Sequence, residues 1–530
     1  MSKVQSINEA RKNKGAQGGR AKAKGLDERV AALNKEYALA MVADKALVLR
    51  EGLDFLGKPL VSFLSLGAFL VRWENERVWD YETDKYTGLG HIWKKHPDRR
   101  TYDGLAFAPE GVPDKSWYNL WRGFAVQPAP AYDDYRDHAR RHFPTLWDHV
   151  LTNIAQNDVD LAMWIWGWFA DVIKNPTRKG GTALVLRGGQ GAGKSKLGEV
   201  VGSLLGPHWV KVSQPKHLTG TFNAHMAACL LLQADEGFWA GSKEAEGVLK
   251  DLVTSDVHQL EKKGVDAVTV RNLIRLFVSS NNSWVVPAGF DERRFAVLDV
   301  GEGRKQDHAY FARIDAELND GGREHLLAYL LAFPLDKVNL RKIPQTEALW
   351  EQKIASMSEL HHWWYERLQE GTLLPSDRKW TEDVPVTRLY DNFWRFFDRI
   401  SKARKPPKAQ WAIELRKMLP AKPGGGAPFR DGQKVWVQDY EDGVPKRDHE
   451  GTPMMKRVNG WKDFPGLREC REKFEAMVGR KLVWSADETE AAGEGESGAN
   501  APPSGGGQAW DGGVVHQRGG GGSDFDLTDG

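Results

Sequence analysis

The sequence predicts an α/β protein with a largely parallel central sheet over residues 180–300. Two observations carry this prediction. Short apolar runs alternate with helix-forming stretches through the region, which is the pattern of parallel strands joined by crossover helices. A glycine-rich segment also stands between a β-rich run, Thr182–Arg187, and the helix-forming residues Lys196–Leu205. This order of strand, loop and helix is typical of phosphate-binding loops.

Composition divides the rest of the 530-residue chain around this domain. Both ends lack apolar periodicity and are strongly charged, which favours disorder, and the helix and short strand predicted at 410–418 and 434–437 suggest a winged-helix-like module. We expect, in order, a disordered basic arm (1–30), a smaller α+β domain (31–150), the α/β domain with its helical lead-in at 151–179 (151–310), a helical extension (311–375), the winged-helix-like module (376–484) and a disordered acidic, glycine-rich tail (485–530).

Cysteine content and apolar runs indicate the compartment. The two cysteines, Cys229 and Cys470, are too few for a disulfide framework or a cysteine-based zinc site. The longest apolar stretch, Leu161–Ile173, is too short to span a bilayer, and the basic N-terminus is not followed by an apolar signal core. We therefore expect a cytoplasmic protein without a membrane partner.

The glycine-rich segment predicts a site for ATP and Mg²⁺. Glycines let several backbone N–H groups turn toward phosphate oxygens, and the next helix presents its positive N-terminus. Lys194 adds a point charge and the Ser195 hydroxyl reaches magnesium in such sites. The alternative is an ordinary glycine loop. The predicted nucleotide-binding residues are Gly188, Gly189, Gln190, Gly191, Ala192, Gly193, Lys194 and Ser195.

Two acids follow the next apolar run, Ala228–Ala234. A carboxylate at the tip of a strand beside the phosphate loop can hold magnesium, and a second one can polarise an attacking water. We assign Asp235 to the metal and Glu236 to the general base. Adjacent acids at a strand end are also commonly just solvated.

Asparagines and arginines complete the candidate catalytic set. Asn281 and Asn282 end the apolar run Leu273–Ser280, where an amide can hydrogen-bond the attacking water or the γ-phosphate, although asparagine also favours turns. Arg293 and Arg294 precede another strand. An arginine there can neutralise charge on the transferred phosphoryl group, including that on a neighbouring subunit, or it can form a surface salt bridge.

A hairpin with a basic tip is predicted between the acids and the asparagines. Lys262 and Lys263 lie at this tip, before Gly264. In a ring of subunits the tip can contact a DNA backbone in the central channel, because such contacts need positive charge but no base recognition. An ordinary solvated turn is the alternative.

Two aromatic stretches leave their role open. His91–Phe107 mixes basic and aromatic residues, which suits either a nucleic-acid strand or core anchors with solvated neighbours. Trp164, Trp166 and Trp168 lie in a helical stretch and favour a core or subunit contact.

Together, these motifs resemble the superfamily 3 helicases, specifically the primase-helicases of phages, plasmids and poxviruses. The matching positions are Gly188–Ser195 (Walker A), Asp235 and Glu236 (Walker B), the hairpin at 262–264, and Asn281 as the sensor asparagine. Arg293 or Arg294 falls where the arginine finger lies. The resemblance implies a P-loop NTPase, AAA+-like domain that closes into a hexamer and moves 3′ to 5′ on one DNA strand.

The resemblance does not extend to a primase. Many relatives carry a primase domain at the N-terminus, but no Asp-x-Asp strand pair suited to two-metal nucleotidyl transfer is found here. We therefore expect an ATP hydrolase and DNA helicase of phage or plasmid replication. Its expected partners are single-stranded or forked DNA, further copies of itself, and a separate primase, polymerase or single-strand-binding protein. The alternatives are an ATP-dependent origin-binding or loading switch and, less favoured, a small-molecule kinase.

Overall fold

A computed structural model of the chain describes residues 25–485, with gaps at 43, 56, 58, 131–134, 215–216, 218–225, 236–242, 263–264, 423–425 and 442–443. The basic arm through residue 24 and the acidic tail from 486 lie outside the described residues. Two compact units are present. Unit 1 comprises residues 1–362, 397–404 and 476–479, and unit 2 comprises 363–396, 405–475 and 480–530. The finer domain boundaries given above stay predictions.

Unit 1 begins with a small α+β region. Its elements are α1 (residues 25–36), β1 (Tyr37–Val42), β2 (Lys45–Leu53), β3 (Pro59–Ser65), α2 (Leu66–Arg72), β4 (Arg77–Asp80), β5 (Lys85–Gly88), α3 (Leu89–Lys95), β6 (Thr101–Tyr102), β7 (Gly104–Ala106) and β8 (Trp117–Asn119). Strands β3, β2 and β1 form an antiparallel meander, and β6 pairs parallel to β1. This mixture of helices and strands agrees with the α+β region expected over 31–150.

Aromatic side chains form the core of this region. Trp93 is fully buried, contacts Phe69 at a ring-centroid distance of 4.7 Å, and donates its indole N–H to Asn34 Oδ1 at 2.8 Å. Tyr102 packs edge-on against Tyr118. For residues 91–107, the sequence left open a contact with nucleic acid or a role in the core. Trp93 and Tyr102 pack in the core.

A helical lead-in connects this region to the central sheet. It consists of α4 (Tyr135–His142), α5 (Pro144–Asp148), one π-helical segment (His149–Ile154) and α6 (Val159–Lys174). Trp164, Trp166 and Trp168 on α6 are all buried, which confirms the core interpretation of the three tryptophans. Arg275 fixes α6 to the sheet, because its guanidinium donates to Asp171 Oδ2 at 3.1 Å and to the carbonyl of Asn175 at 2.9 Å.

The central sheet has five parallel strands. They are β9 (Ala183–Arg187), β10 (Trp209–Val212), β11 (Leu231–Asp235), β14 (Arg275–Ser280) and β15 (Phe295–Asp299), in the spatial order β10-β11-β14-β9-β15. The parallel α/β sheet expected over 180–300 is thus confirmed. Between these strands lie α7 (Lys194–Leu205), α8 (Lys243–Thr254) and the antiparallel hairpin of β12 (Val257–Lys262) and β13 (Val265–Arg271).

Helices follow the sheet, as expected. They are α9 (His308–Glu317), α10 (Arg323–Ala332), α11 (Glu347–Ala355) and α12 (Glu359–Glu370). A continuous apolar core joins the sheet, the lead-in and the first three of these helices. In the part of the chain that the structure describes, no helix is both long and apolar enough to cross a membrane.

Unit 2 contains helices and a β-ribbon. Its elements include α13 (Val386–Ile400), α14 (Lys408–Lys417), β16 (Arg430–Gln438), β17 (Tyr440–Glu441), β18 (Val444–Pro445), β19 (Met455–Lys462) and α15 (Leu467–Val478). Strands β16 and β19 pair antiparallel, and Trp411 stacks on Trp461 in the buried centre. The helix at 410–418 and the strand at 434–437 were expected, whereas the winged-helix assignment stays a prediction.

Candidate functional site

The glycine-rich loop connects the end of β9 to the start of α7. Gly191 and Gly193 adopt the left-handed region, with φ of 78° and 87°. A Cβ on Gly193 would lie 2.5 Å from His149 Cε1 and 2.6 Å from Phe311 Cε1. Only glycine fits there, because a side chain would meet both backbone strain and the two rings.

Lys194 links this loop to the neighbouring strand. Its Nζ donates to the carbonyls of Gly188 at 2.9 Å and Gly189 at 2.6 Å, and to Asn281 Oδ1 at 2.8 Å. The parallel register explains the contact, since Ser280 pairs with Arg187 and the residues that follow each strand therefore meet at one edge of the sheet. The structure thus brings together two residues that the sequence assigned to one site.

A chain of oxygen atoms lies beside the lysine. The Ser195 hydroxyl is 2.8 Å from the Ser279 hydroxyl, which donates to Asp235 Oδ1 at 2.6 Å. Hydroxyl and carboxylate oxygens are the ligand type that Mg²⁺ prefers, and magnesium takes few protein ligands. Ser195 and Asp235 are the residues that could hold magnesium here, and the Ser279 hydroxyl hydrogen-bonds to both.

Asp235 remains charged at neutral pH. Burial alone would raise its pKa, but hydrogen bonds from Lys211, Ser279 and Gln233 outweigh that effect and lower it. Lys211 Nζ lies 2.7 Å from Asp235 Oδ2 and 2.6 Å from Glu199 Oε1. The Lys211 ammonium group thus holds the Asp235 carboxylate. A metal ion that binds Asp235 would either replace this ammonium group or bind the carboxylate next to it.

Gln233 ties Asp235 to the glycine-rich segment. This fully buried side chain donates to Asp235 Oδ1 at 3.1 Å and to the carbonyl of Ser195 at 3.2 Å. It was not predicted from the sequence, because a glutamine inside an apolar strand carries no motif of its own. The available signal was its position two residues before Asp235, which in a strand places both on one face.

Two side chains of the π-helical segment hydrogen-bond to carbonyl groups of the glycine-rich loop. His149 Nε2 donates to the Gly193 carbonyl at 3.2 Å, and Asn153 Nδ2 donates to the Ala192 carbonyl at 2.9 Å. Burial lowers the pKa of His149 to about 4, although its hydrogen bond to Gly193 opposes the shift. The imidazole is therefore neutral at pH 7, with the proton on Nε2. Neither residue was predicted from the sequence.

A cavity of about 300 Å³ opens beside the loop. Gly191, Lys194, Asn281 and Phe311 are among its lining residues. The backbone N–H of Gln306 donates to the Gly191 carbonyl at 3.1 Å, which closes the loop against the start of α9. The cavity is thus lined by the backbone of the glycine-rich loop and by the aromatic ring of Phe311.

The two arginines lie at the N-terminal ends of the parallel strands, and the glycine-rich loop lies at their C-terminal ends. The arginines precede β15, whose first residue pairs with Ala183 at the start of β9, whereas the glycine-rich loop follows the end of β9. A five-residue strand spans about 17 Å. Arg293 is exposed and Arg294 is half-buried, and Glu292 accepts hydrogen bonds from both their backbone N–H groups. The structure therefore does not bring these arginines to the site in their own chain.

The structure does not describe the side chains at three of the predicted positions. Glu236 and Lys263 lie outside the described residues, as does the side chain of Lys262. The backbone of Lys262 ends β12 opposite Val265, so the hairpin that carries the basic tip is confirmed. The roles of these three side chains stay predictions.

Comparisons with known proteins find a family of unknown function and a phage protein. Residues 186–294, the span from the phosphate loop to the arginines, match a family described as a family of unknown function (DUF5906). A DNA primase-polymerase of Nitratiruptor phage NrS-1 is 20% identical over 210 residues, which is 39% of this chain and 29% of that protein. The match thus spans less than a third of that relative's length.

Solved structures show what fold is shared. The apo structure of the NrS-1 C-terminal region has a TM-score of 0.53 and 16% identity, and covers 82% of this chain and 98% of that one. A second apo structure of the region, its A form, has a TM-score of 0.53 and 15% identity, and covers 81% of this chain and 98% of that one. The chain therefore shares the mixed α/β fold of the C-terminal region of a phage primase-polymerase.

Proposed function

We propose that this chain is an ATP-hydrolysing DNA helicase of the superfamily 3 type, acting in phage or plasmid replication as a ring of six subunits that moves 3′ to 5′ on single-stranded DNA. One observation carries the proposal. Lys194 Nζ, the Asn281 amide and the Ser195-Ser279-Asp235 oxygen chain converge at the carboxyl edge of three adjacent parallel strands, beside the glycine-rich loop. In open α/β sheets, ligands bind at this edge.

The residues suit hydrolysis of a nucleoside triphosphate. Loop N–H groups and Lys194 would bind the β- and γ-phosphates, and Ser195 with Asp235 would hold Mg²⁺, which supplies charge neutralisation on the phosphate oxygens. Asn281 lies within reach of Lys194 and would position the attacking water, whose proton passes to Glu236 as the oxygen–phosphorus bond forms. The bond from the γ-phosphorus to the β,γ-bridging oxygen would break in the same transfer, and ADP would leave with that oxygen and the electron pair, beside inorganic phosphate.

Assembly would complete the site. Because Arg293 and Arg294 lie one strand length from their own phosphate loop, an arginine finger would have to come from a neighbouring subunit. Arg293 is the more exposed of the two and is the better placed to reach a neighbour. In such a ring the hairpin of β12 and β13 would face DNA. The fold shared with a phage primase-polymerase region supports a role in replication.

A forked-duplex assay tests the proposal. The protein, mixed with ATP, Mg²⁺ and a duplex carrying single-stranded tails, is expected to separate the strands, and hydrolysis is expected to rise with single-stranded DNA. Lys194→Ala should abolish both activities, because it removes the charge that faces the phosphates. The matched control, Lys337→Ala, changes an exposed lysine outside the site and should leave both unchanged.

The outcomes separate the alternatives. An oligomer that hydrolyses ATP on DNA but never unwinds a fork would instead indicate an origin-binding or loading switch. Hydrolysis stimulated by a metabolite rather than by single-stranded DNA would indicate a small-molecule kinase. Unchanged hydrolysis in Lys194→Ala would refute the phosphate-loop assignment itself.

A further inference from the structure

Three histidines converge on the lead-in, outside the phosphate-loop cavity. His138 and His142 lie four residues apart on α4, so they share one face of the helix, and His325 lies on α10. The rings of His142 and His325 stack with centroids 3.5 Å apart and planes at 8°, and the His138 ring lies 4.9 Å and 5.0 Å from them. His138 is buried, whereas the other two are partly exposed, so the group is reachable from solvent.

The three side chains offer a compact donor set. One ring nitrogen from each lies within 4.8 Å of the other two. Two nitrogen ligands of a tetrahedral zinc ion stand about 3.3 Å apart, from bond lengths of about 2.0 Å. To bind one ion, the partly exposed His142 and His325 rings would tilt out of their parallel stack, so that the in-plane lone pairs of both aim at a common point.

A hydrogen bond orients one of the three rings for ligation. His138 Nε2 donates to the backbone carbonyl of His325 at 3.1 Å, which leaves Nδ1 as its lone-pair nitrogen. Metal-binding histidines commonly carry such a bond on the second ring nitrogen.

The surrounding charges permit a cation. Arg141, on the same helix, is paired with Asp137, which offsets its positive charge. Glu324 lies beside His325 in the chain and supplies a negative charge nearby. Three imidazoles without a thiolate or a carboxylate ligand suit zinc and other late divalent transition metals rather than Mg²⁺, which prefers oxygen.

We propose that His138, His142 and His325 bind one divalent transition-metal ion, zinc by the nature of the donor set, and that this ion clamps α4 to α10. Water would fill the fourth position. The clamp joins the lead-in to the helices after the sheet, across more than 180 residues of chain, and closing so long a loop constrains the unfolded chain strongly. The proposal stands independently of nucleotide hydrolysis.

Metal titration of the full chain tests it. After treatment with a chelator and dialysis, the protein is titrated with Zn²⁺ to beyond one equivalent in the presence of excess Mg²⁺, and bound zinc is measured by mass spectrometry after unbound metal is removed. We expect one tightly bound zinc ion per chain, a rise in melting temperature on adding zinc, and visible absorption bands of tetrahedral type when Co²⁺ replaces it. His142→Gln and His325→Gln should each weaken zinc binding at least tenfold.

A matched variant and the wild-type spectrum keep the result decisive. His449→Gln replaces an exposed histidine of unit 2 and should bind zinc like the wild type. Should either cluster variant fail to fold, the wild-type zinc content and Co²⁺ spectrum still decide. Wild-type protein without bound zinc, or zinc retained in full by the folded His142→Gln and His325→Gln chains, overturns the proposal and leaves the cluster as a packing contact.

Discussion

Replacing His149 with glutamine should remove a large part of the acid sensitivity of unit 1. The buried imidazole has its pKa lowered to about 4, whereas a histidine in the unfolded chain titrates near 6.5. Between these values the unfolded chain takes up the proton and the folded chain does not. The free energy of unfolding therefore falls as pH drops from about 6.5 to about 4, and it is unaffected above that window.

The size of the effect follows from the two pKa values. A gap of about 2.5 units corresponds to about 3 kcal/mol of stability lost by pH 4, of which about 2 kcal/mol is lost by pH 5. Glutamine cannot titrate, but its amide can still donate to the Gly193 carbonyl in place of Nε2. The His149→Gln chain should thus keep the loop contact and lose only the pH dependence that belongs to this position.

Urea unfolding of both proteins at pH 7, 6 and 5 measures the effect. The wild type should lose about 2 kcal/mol more than His149→Gln between pH 7 and pH 5. His258, whose pKa burial also lowers to about 4, is present in both chains and cancels from the difference. Parallel pH curves for the two proteins would refute the assignment of a buried neutral imidazole behind the loop.

Three further predictions concern the site and its proposed neighbour. Asn281→Ala should reduce the rate constant of ATP hydrolysis on the order of 10²-fold with little change in nucleotide affinity, measured by steady-state kinetics and calorimetry, because one positioned hydrogen bond is lost. Gly193→Ala should destabilise the folded chain by about 2–5 kcal/mol and abolish nucleotide binding, since the new Cβ meets His149 and Phe311. Arg293→Ala, and separately Arg294→Ala, should keep nucleotide binding and lose turnover, with partial recovery when mixed with Glu236→Gln subunits.

Each of these has a control in the chain. Asn282→Ala changes the next amide, which is exposed and is not among the residues that line the cavity, and should hydrolyse ATP normally. Gly303→Ala adds a Cβ into open space and should fold like the wild type. Nucleotide binding lost in both arginine variants would point to a structural role, and equal kinetics for the two asparagine variants would remove Asn281 from the site.

The sequence alone predicts the part of the site that follows strand order. Each strand of a parallel sheet ends at the same edge, so the residues just after β9, β11 and β14 were expected to meet, and Lys194, Asp235 and Asn281 do lie together. Ser279 was not expected, although it bridges Ser195 and Asp235. A serine within an apolar strand gives no signal until the register places it between them.

The supporting residues depend on packing that no local pattern encodes. His149 lies 44 residues before Gly193, on a π-helical segment whose geometry does not follow from residue preference. The histidine cluster has the same origin, since 187 residues separate His138 from His325. The sequence predicted the helical extension that contains His325, but it predicted neither α4 nor the start of the π-helical segment that carries His149.

The hydrogen bonds to the loop carbonyls have one further effect. In a planar trans peptide the C=O and the following N–H point in opposite directions. Because Asn153 and His149 hold the Ala192 and Gly193 carbonyls toward the lead-in, the N–H groups of Gly193 and Lys194 must point away from it. The two side chains therefore prevent these peptide groups from flipping. A flipped peptide group would present its carbonyl oxygen and repel an anion, so Asn153 and His149 determine which charge the loop presents although they lie on its other side.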